Sequence, residues 1–581
     1  MHFLPLKQTD VVSKTLDKFK RCYGVEVRDG FILGQSTITD SVKCIGAFLD
    51  LDKLVEENAS NDMVQLLRIP AISTFSIHTI LEIVNQRSQY STERQFQDTT
   101  GSIKRIFALC CENAVIIENL SETLILIMYF LILELLQQMG YALPEIVSEY
   151  LNNVLLTTEV GSFYTDLPAY ATCANLEIMA QYGLADLYSV FQSLVDFSER
   201  NFEDQFEPQV VANIMASVIS RCLEIPHELE PNSEDFQVQT TLVPILDYIN
   251  HNNELVNAHF DVDRQTNDVL LLLDLDQCRG RKGLTEVFIS YSPVQELVHF
   301  EKIYGFSPSL DPQMATYMNL CLDKTFLSQE SSLDLFFKWF EIKPCVQFCI
   351  LADTVYINDC IESFYELTIP FSADADSTYS STNFRYDKKA FKVFAEHFAR
   401  ARGGDAKDFE EICDEQVEQN ESNSCEGIDL PQLAWMYYYC VDGKSRCGRL
   451  DKGQIIRLSG YDLASAKKRL LAYLSRYFQW RQDFLQKKLP LISASMRRVA
   501  VHEQTLIAKL LCQVEQGESI FLSDAKVDSE KLQEYPIPSL LKDSYHHYSS
   551  STISEGDSVQ ECFLSTDELS EIQYYSDFFS P

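Results

Sequence analysis

Hydrophobic residues change their spacing several times along the chain, and these changes separate strand-rich from helix-rich regions. From about residue 21 to residue 70, short apolar runs such as "GVEVRDGFILG" predict β-strands. From about 71 to 235, apolar residues recur three and four positions apart, which predicts amphipathic helices. Short runs such as "TEVFISYS" return between about 236 and 310, and helical spacing dominates beyond 311. The alternation predicts an α+β protein of several domains.

The most apolar run of the sequence lies inside the first helical region. It extends from Leu124 to Leu133, is ten residues long and ends at Glu134. A membrane-spanning helix needs about 20 apolar residues, so we expect this run to form a buried core helix. The first residues, "MHFLPLKQTD", lack the charged and apolar regions of a secretory signal.

Two long helices are predicted near the end of the chain. The first begins at Asp462 and is stopped by Pro490, and the second ends at Gly517 in the position of a C-cap glycine. The cations of the first helix predict a solvated face rather than a binding patch; they are Lys467, Lys468, Arg469, Arg476, Arg481, Lys487 and Lys488.

The charge balance restricts the partners of the protein. The formal net charge is −37, from 85 acidic and 48 basic residues. Such a surface repels the phosphate backbone of nucleic acids and attracts basic proteins, although acidity of this kind also serves solubility alone. From Asp543 to Pro581 the chain has eight acidic residues and no lysine or arginine. We expect this tail to be disordered or to fold only on a partner.

Several classes of catalytic and metal site have no support in the sequence. The 17 cysteines lack paired metal-ligand spacings, which favours reduced thiols and no structural zinc. Neither the glycine-rich phosphate loops nor the nucleophile elbow G-x-S-x-G nor the metalloprotease pair H-E-x-x-H occurs. Hydrolase and NTPase functions are therefore disfavoured.

One segment concentrates polar residues directly after an apolar run. "LDYINHNNELVNAHFDVD", from Leu246 to Asp263, contains six asparagines and histidines and alone would predict a polar loop. Its companions are "CIGAF", "LLRIP", "MASVISRCLEIP", "TEVFISYSPV" and "VHFEKIYGFSP". In this order, the set resembles a split SET-domain protein lysine methyltransferase of the Rubisco large-subunit methyltransferase class, whose fungal relatives act on cytochrome c, elongation factor 1A and ribosomal proteins.

The resemblance implies an α+β SET fold of short β-sheets with a pseudoknot, interrupted by a helical insert. The N-terminal part of the SET domain would span 20–75, the insert 76–235 and the C-terminal part 236–310. A mostly helical substrate-binding domain would occupy 311–540, and the acidic, serine-rich tail 541–581.

The resemblance also implies the site residues and the cofactor, S-adenosyl-L-methionine. The catalytic residues would be Tyr291 and Tyr304. The cofactor-binding residues would be Gly46, Ala47, Phe48, Ser220, Arg221, Asn250, His251 and Tyr291. The channel for the substrate lysine would be lined by Ser220, Arg221, Tyr304 and Phe306.

Methyl transfer to a lysine amine requires an apolar channel with hydroxyl groups, which tyrosine residues can provide. A free lysine has a pKa near 10.4, so neutralising its amine at pH 7.4 costs about 4 kcal/mol. An apolar channel lined by tyrosines disfavours the ammonium form, and tyrosine hydroxyls orient the nitrogen for attack. Neither a metal nor a covalent intermediate is required.

The sequence departs from the family pattern at three positions. Cys44 stands at the first glycine of the usual G-x-G element, where only Gly46 remains. The Gly-Glu pair expected before "FISY" is "LTE", with Gly283 displaced by one residue, and Ser292 replaces the glycine that follows the tyrosine. A second hypothesis is therefore a SET-fold module that binds a partner without methylating it.

The preferred hypothesis is a cytoplasmic, monomeric lysine methyltransferase of a basic, non-histone protein. Cytochrome c, elongation factor 1A and ribosomal proteins are all basic enough for an acidic enzyme to attract them. We expect no direct contact with nucleic acid or membrane.

Overall fold

The computed structural model describes residues 9–36, 45–53, 63–80, 101–308, 315–371 and 463–525, with internal gaps. The gaps are 106–107, 111–112, 158–160, 172, 183–184, 203–206, 229–235, 293, 328, 330–343, 352–353, 362–363, 365–366 and 369–370. Cys44 and the predicted tail at 541–581 lie outside the described residues.

The described strands are short and occur on both sides of a long helical stretch. They are β1 (Glu26–Val27), β2 (Phe31–Gln35), β3 (Ile45–Asp50), β4 (Met63–Ile69), β5 (Leu223–Glu228), β6 (Phe236–Thr241), β7 (Asn250–His251), β8 (Ala258–Val262), β9 (Val269–Asp274), β10 (Leu284–Ile289), β11 (Gln295–Glu296), β12 (Thr316–Cys321), β13 (Cys345–Leu351) and β14 (Thr354–Ile357).

These strands form three four-stranded sheets and one hairpin. The sheet orders are β1-β4-β9-β8, β2-β3-β10-β7 and β11-β12-β13-β14, and β5 pairs with β6. Because β3 pairs with β10 and β4 with β9, strands from both sides of the helical stretch share sheets. The predicted α+β class and the interruption of its sheets by helices are confirmed.

Except for α1 at the start of the chain, the described helices lie in the predicted insert and in the part of the chain after β11. They are α1 (Thr9–Cys22), α2 (Ala114–Glu118), α3 (Glu122–Gln138), α4 (Glu145–Tyr150), α5 (Cys173–Gln181), α6 (Ala185–Asn201), α7 (Pro208–Ile219), α8 (Leu297–Ile303), α9 (Lys324–Leu327), α10 (Leu463–Lys488) and α11 (Ala494–Glu515).

Helix α3 is the centre of the helical insert. Its first turn is capped by Ser121, whose hydroxyl accepts a hydrogen bond from the Leu124 amide at 3.2 Å. Residues 124–136 are all buried, and Glu134 is the only charged residue among them. A helix with apolar side chains on all sides is typical of the interior of a large core. The predicted core helix is confirmed, and within the described residues no helix has the length and apolarity to cross a membrane.

The two predicted C-terminal helices are present with the expected ends. Helix α10 ends at Lys488, and Pro490 lies in the single 3₁₀ turn that follows it. Helix α11 begins after Ser493, whose hydroxyl caps the Met496 amide. Gly517, beyond its end, has φ +74° and donates its amide to the Val514 carbonyl, as a C-terminal glycine does.

The sheet of β11–β14 was not predicted, whereas the described residues from 463 to 515 are mostly helical as expected. Strands β12 and β13 are buried on both faces, so their apolar residues do not alternate with polar ones. A short, continuous apolar run cannot be distinguished from a buried helix by periodicity alone.

A fully buried ion pair joins the two C-terminal helices. Arg481 on α10 donates from Nε and Nη2 to the two carboxylate oxygens of Glu503 on α11, at 2.6 and 2.9 Å. Both residues have no exposed surface. The guanidinium also donates to Gln181 on α5, and the Tyr182 hydroxyl donates to Glu503 at 2.6 Å. The predicted solvated helix face is therefore wrong for Arg481.

Replacing Arg481 is expected to destabilise the protein strongly. Arg481→Met would leave Glu503 buried without its counter-charge, which should lower the free energy of unfolding by roughly 3–5 kcal/mol. Urea-induced unfolding followed by circular dichroism measures the loss. Lys487→Met, at an exposed position of the same helix, is the control and should change the free energy of unfolding by less than about 0.5 kcal/mol. Equal effects of the two variants would contradict the role given to the pair.

Candidate functional site

The two-residue strand β7 brings Asn250 and His251 into the sheet of β2, β3 and β10. It pairs in parallel with β10, with Asn250 opposite Phe288 and His251 opposite Ile289. Both β7 residues are buried. The approach to this strand is strained, because Ile245 adopts φ 76° and ψ −41°, a conformation that β-branched residues rarely take.

Polar groups converge on one carboxylate beside β7. The side-chain amide of Asn250 donates to the Ile45 carbonyl at 3.0 Å and to Oε1 of Glu286 at 3.2 Å. The Ser36 hydroxyl donates to the same Glu286 oxygen at 2.5 Å. We call Ser36, Gly46, Asn250 and Glu286 the carboxylate cluster.

Gly46 is the member of the carboxylate cluster that has no room for a side chain. A Cβ atom at this position would collide with the Glu286 carboxylate and would lie 3.0 Å from Nδ2 of Asn250. Glycine is therefore required here by close packing, since its backbone is in an ordinary strand.

The residues after Gly46 point to opposite faces of β3. Ala47 is buried in the main hydrophobic core, as are Ile45 and Leu49 on the same face. Phe48 is buried on the other face, where its ring lies against Gly34 of β2. Of the two, only Phe48 shares its face with Gly46.

The carboxylate cluster contains a buried hydrogen-bond acceptor that fits a ligand. Oδ1 of Asn250 is buried and accepts no hydrogen bond from any residue that the structure describes. An unsatisfied buried amide oxygen costs about 1–3 kcal/mol, so a group that brings an N–H or O–H donor would be favoured here. S-adenosylmethionine carries ammonium, amino and hydroxyl donors, and the cluster therefore fits the predicted cofactor.

His251 acts as a fixed hydrogen-bond acceptor. Its Nδ1 accepts the amide hydrogen of Tyr291 at 3.0 Å, which places the ring proton on Nε2. Burial lowers the pKa of His251 to about 4, so the imidazole is neutral at physiological pH. The ring thus holds the chain at Tyr291 and carries no charge into the site.

Aromatic rings gather on the other side of His251. Five residues form this aromatic cluster: His251, Tyr291, Phe300, Tyr304 and Phe306. The ring centroids of Tyr291 and Tyr304 are 4.8 Å apart, and those of His251 are 5.2 Å from Tyr291 and 6.0 Å from Phe306. The predicted channel residues Tyr304 and Phe306 therefore lie beside the predicted cofactor residue His251.

The two tyrosines of the aromatic cluster have different surroundings. The Tyr291 hydroxyl donates to the carbonyl of Ile249 at 2.8 Å and so fixes the backbone just before Asn250. Tyr304 closes the C-terminal end of α8, and burial raises its pKa to about 12, so its phenol is protonated at neutral pH.

Ser220 and Arg221 follow the end of α7, and Arg221 lies close enough to Asp247 for their charges to interact. The Arg221 guanidinium donates to the Ser220 hydroxyl at 3.0 Å and to the Ser217 carbonyl at 2.9 Å. Asp247, three residues before Asn250, is buried near this guanidinium. Burial raises the pKa of Asp247 to about 7, and the positive charge of Arg221 opposes the shift.

Several residues of the site were not predicted from the sequence. Glu286 was noted only as part of an irregular "LTE" element, although it is the centre of the carboxylate cluster. Phe300 precedes Tyr304 by one helical turn and could have been found from this spacing. Asn257, within the Asn/His-rich segment, fixes β10: its amide donates to the Glu286 carbonyl and its oxygen accepts from Phe288, both at 2.9 Å.

The chain is similar in sequence to proteins named cytochrome c lysine N-methyltransferase 1. The family model described as cytochrome c lysine N-methyltransferase 1 (Ctm1) matches residues 14–552. The protein of that name from Saccharomyces cerevisiae is 28% identical over 535 residues, covering 88% of this chain and 89% of its own length. Its counterpart from Eremothecium gossypii is 36% identical over 332 residues, covering 56% of this chain and 67% of its own length.

Similar solved structures are SET-domain proteins. The SET domain of LSMT bound to lysine and AdoHcy aligns with 91% of this chain and 97% of its own, with a TM-score of 0.38 and 10% sequence identity. Rubisco LSMT bound to AdoMet aligns with 87% and 93% of the two chains, with a TM-score of 0.37 and 12% identity.

Substituting Gly46 should disrupt the carboxylate cluster. In Gly46→Ala, the added methyl group would displace Glu286 from Asn250, and we expect a loss of roughly 1–3 kcal/mol in the free energy of unfolding. Gly34→Ala is the matched control, because Gly34 is the partner of Gly46 across β2 and β3 and a Cβ there would only touch the Phe48 ring at 3.4 Å. Denaturant titration of both variants tests the difference, which would be absent if Gly46 were an ordinary strand residue.

The lowered pKa of His251 should make its stabilising contribution depend on pH. Because the pKa falls from 6.5 in the unfolded chain to about 4 in the folded protein, the unfolded state binds the extra proton as the pH decreases. The contribution is therefore complete above pH 6.5 and is lost towards pH 4. Between pH 7 and 5, the parent protein should lose roughly 2 kcal/mol more unfolding free energy than His251→Asn, which keeps an acceptor near Nδ1. Parallel pH dependences would contradict a neutral, buried His251.

Proposed function

Because the chain belongs to the cytochrome c lysine N-methyltransferase family, we propose that it transfers methyl groups from S-adenosylmethionine to a lysine of cytochrome c. The observation that carries the proposal is the junction at β7. There, one short strand places the carboxylate cluster, with its free buried acceptor, next to the aromatic cluster. A methyl donor and a lysine side chain need two such neighbouring environments, one polar and one apolar.

The carboxylate cluster and its surroundings are proposed to hold the cofactor. When bound, S-adenosylmethionine supplies an electrophilic methyl group on a sulfonium centre. Gly46, Phe48, Asn250 and His251 would hold it, with Asn250 offering its free side-chain oxygen. Ser220, Arg221 and Tyr291 retain their predicted cofactor roles, whereas Ala47 can contribute only through its backbone because its side chain is in the core.

The aromatic cluster is proposed to receive the substrate lysine. Its rings disfavour the ammonium form of the amine, whose neutralisation costs about 4 kcal/mol in water at pH 7.4. The protonated phenol of Tyr304 can accept an N–H bond on its oxygen, which orients the nitrogen lone pair for attack. The neutral imidazole of His251 adds no positive charge that would repel the sulfonium centre of the methyl donor.

The acidic character of the chain supports a basic protein substrate. With a net charge of −37, the protein accelerates encounters with cationic partners, and this effect weakens as the ionic strength rises. Among the substrates expected from the sequence, cytochrome c is favoured because the family model and the relatives carry its name. A cytoplasmic location and a monomeric state stay predictions.

The proposal predicts separate losses from the two clusters. Asn250→Ala should weaken binding of S-adenosylmethionine at least about tenfold, because it removes the side chain that contacts Glu286 and the Ile45 carbonyl. Tyr304→Phe should retain cofactor binding but lower kcat by roughly 10- to 100-fold, because the amine loses its orienting oxygen. Calorimetry measures cofactor binding, and mass spectrometry of cytochrome c measures methyl transfer.

Tyr188→Phe, on α6, removes a phenol outside both clusters and should behave as the parent protein does. Cofactor binding by the parent without methylation of cytochrome c would indicate another protein substrate. Failure to bind S-adenosylmethionine would favour the alternative of a SET-fold module that binds a partner without methylating it.

A further inference from the structure

Arg498 on helix α11 contacts two segments that are distant from it in the sequence. Its Nε and Nη2 atoms donate to Oε2 of Glu301 at 3.0 and 2.8 Å. Nη2 also donates to the Gly161 carbonyl at 2.6 Å and to the Gly305 carbonyl at 3.4 Å. One guanidinium therefore connects the C-terminal helix with α8 and with the helical insert.

Glu301 is buried and lies close to the aromatic cluster. It belongs to α8, three residues before Tyr304, and 1% of its side chain is exposed. Its other oxygen accepts the Ser307 hydroxyl at 2.6 Å, and the Ser307 oxygen is also 3.0 Å from Nε2 of His502 on α11. The contacts of Glu301 thus fix the chain on both sides of Tyr304.

The turn between Tyr304 and Phe306 is pressed against the insert. Gly305 adopts φ +75°, and a Cβ atom there would lie 2.7 Å from the Gly161 carbonyl carbon and 2.8 Å from the Ser162 nitrogen. Only glycine allows this left-handed turn and this close approach. The positions of the Tyr304 and Phe306 rings therefore depend on how Gly305 and Gly161 are held together.

We propose that Arg498 is a positioning residue for the lysine channel. By binding Glu301 and the carbonyls of Gly161 and Gly305, it fixes the wall formed by Tyr304 and Phe306 without touching the substrate. The inference rests on the proposed methyltransferase function and assigns to the C-terminal helix a part in the catalytic step.

Arg498 contacts residues next to the aromatic cluster, where the substrate lysine is proposed to bind. Among the described residues, its hydrogen bonds end at Glu301, Gly161 and Gly305, and none reaches Glu286 or Asn250. Loss of the guanidinium should therefore alter lysine positioning and leave binding of S-adenosylmethionine almost unchanged.

The test uses the full chain with variants at neighbouring arginines. Arg498→Met removes the guanidinium, and Arg498→Lys restores a charge without the paired N–H donors that bind Glu301. Arg497→Met is the matched control, because the Arg497 guanidinium binds the carbonyls of Leu489 and Ile492 just before its own helix. For each variant, kcat and KM for cytochrome c, the proportions of mono-, di- and trimethyllysine, cofactor affinity and melting temperature are measured.

We expect Arg498→Met to lower kcat by roughly 10- to 100-fold and to reduce the share of higher methylated products, because a misplaced channel wall disfavours in-line attack. Cofactor affinity should stay within about twofold of the parent value, Arg498→Lys should recover part of kcat, and Arg497→Met should match the parent.

Two results would overturn the inference. One is a lower melting temperature in Arg498→Met with unchanged kcat and product proportions, which would indicate a structural role only. The other is an equal loss of cofactor affinity and activity, which would indicate a general collapse of the site. A parent protein that does not methylate cytochrome c would instead contradict the proposed function, so the two failures are distinguishable.

Discussion

The buried pair of Arg481 and Glu503 is the constraint on which the arrangement of the C-terminal helices depends. Two desolvated charges are tolerated only where further hydrogen bonds satisfy them, and here Gln181 and Tyr182 of the insert supply these bonds. The pair therefore fixes α10, α11 and the end of α5 together. His502 and Arg498, which reach the aromatic cluster region, belong to the same helix as Glu503. The ion pair thus determines where α11 presents these side chains.

Much of the candidate site could be predicted from the sequence, because its motifs are local. The Asn/His-rich segment, "FISY" and "IYGF" each place their chemistry within a few residues, and the structure brings Asn250, His251, Tyr291 and Tyr304 together. Predicted helices with clear caps were also confirmed, since Ser493 and Gly517 act through local hydrogen bonds.

Other features escaped prediction because they depend on distant partners or on burial that the local sequence does not show. Arg481 has the sequence context of a surface cation, and only its contact with Glu503 makes it a core residue. Glu286 is one of many acidic residues until Ser36 and Asn250 converge on it. The β11–β14 sheet lacks the alternation that identifies a half-exposed strand, because both of its faces are covered.

The long reach of the contacts at β7 has a consequence for how the chain folds. The bond from Ser36 to Glu286 spans 250 residues, and the bond from Asn250 to Ile45 spans 205. Strand β3 therefore leaves the ribosome well before its partner β10 exists, while the helices of the insert, built on local contacts, can already form. During this interval the open edge of β3 is available for wrong pairing. The sheet that carries the carboxylate cluster therefore cannot close until β10 has been synthesised.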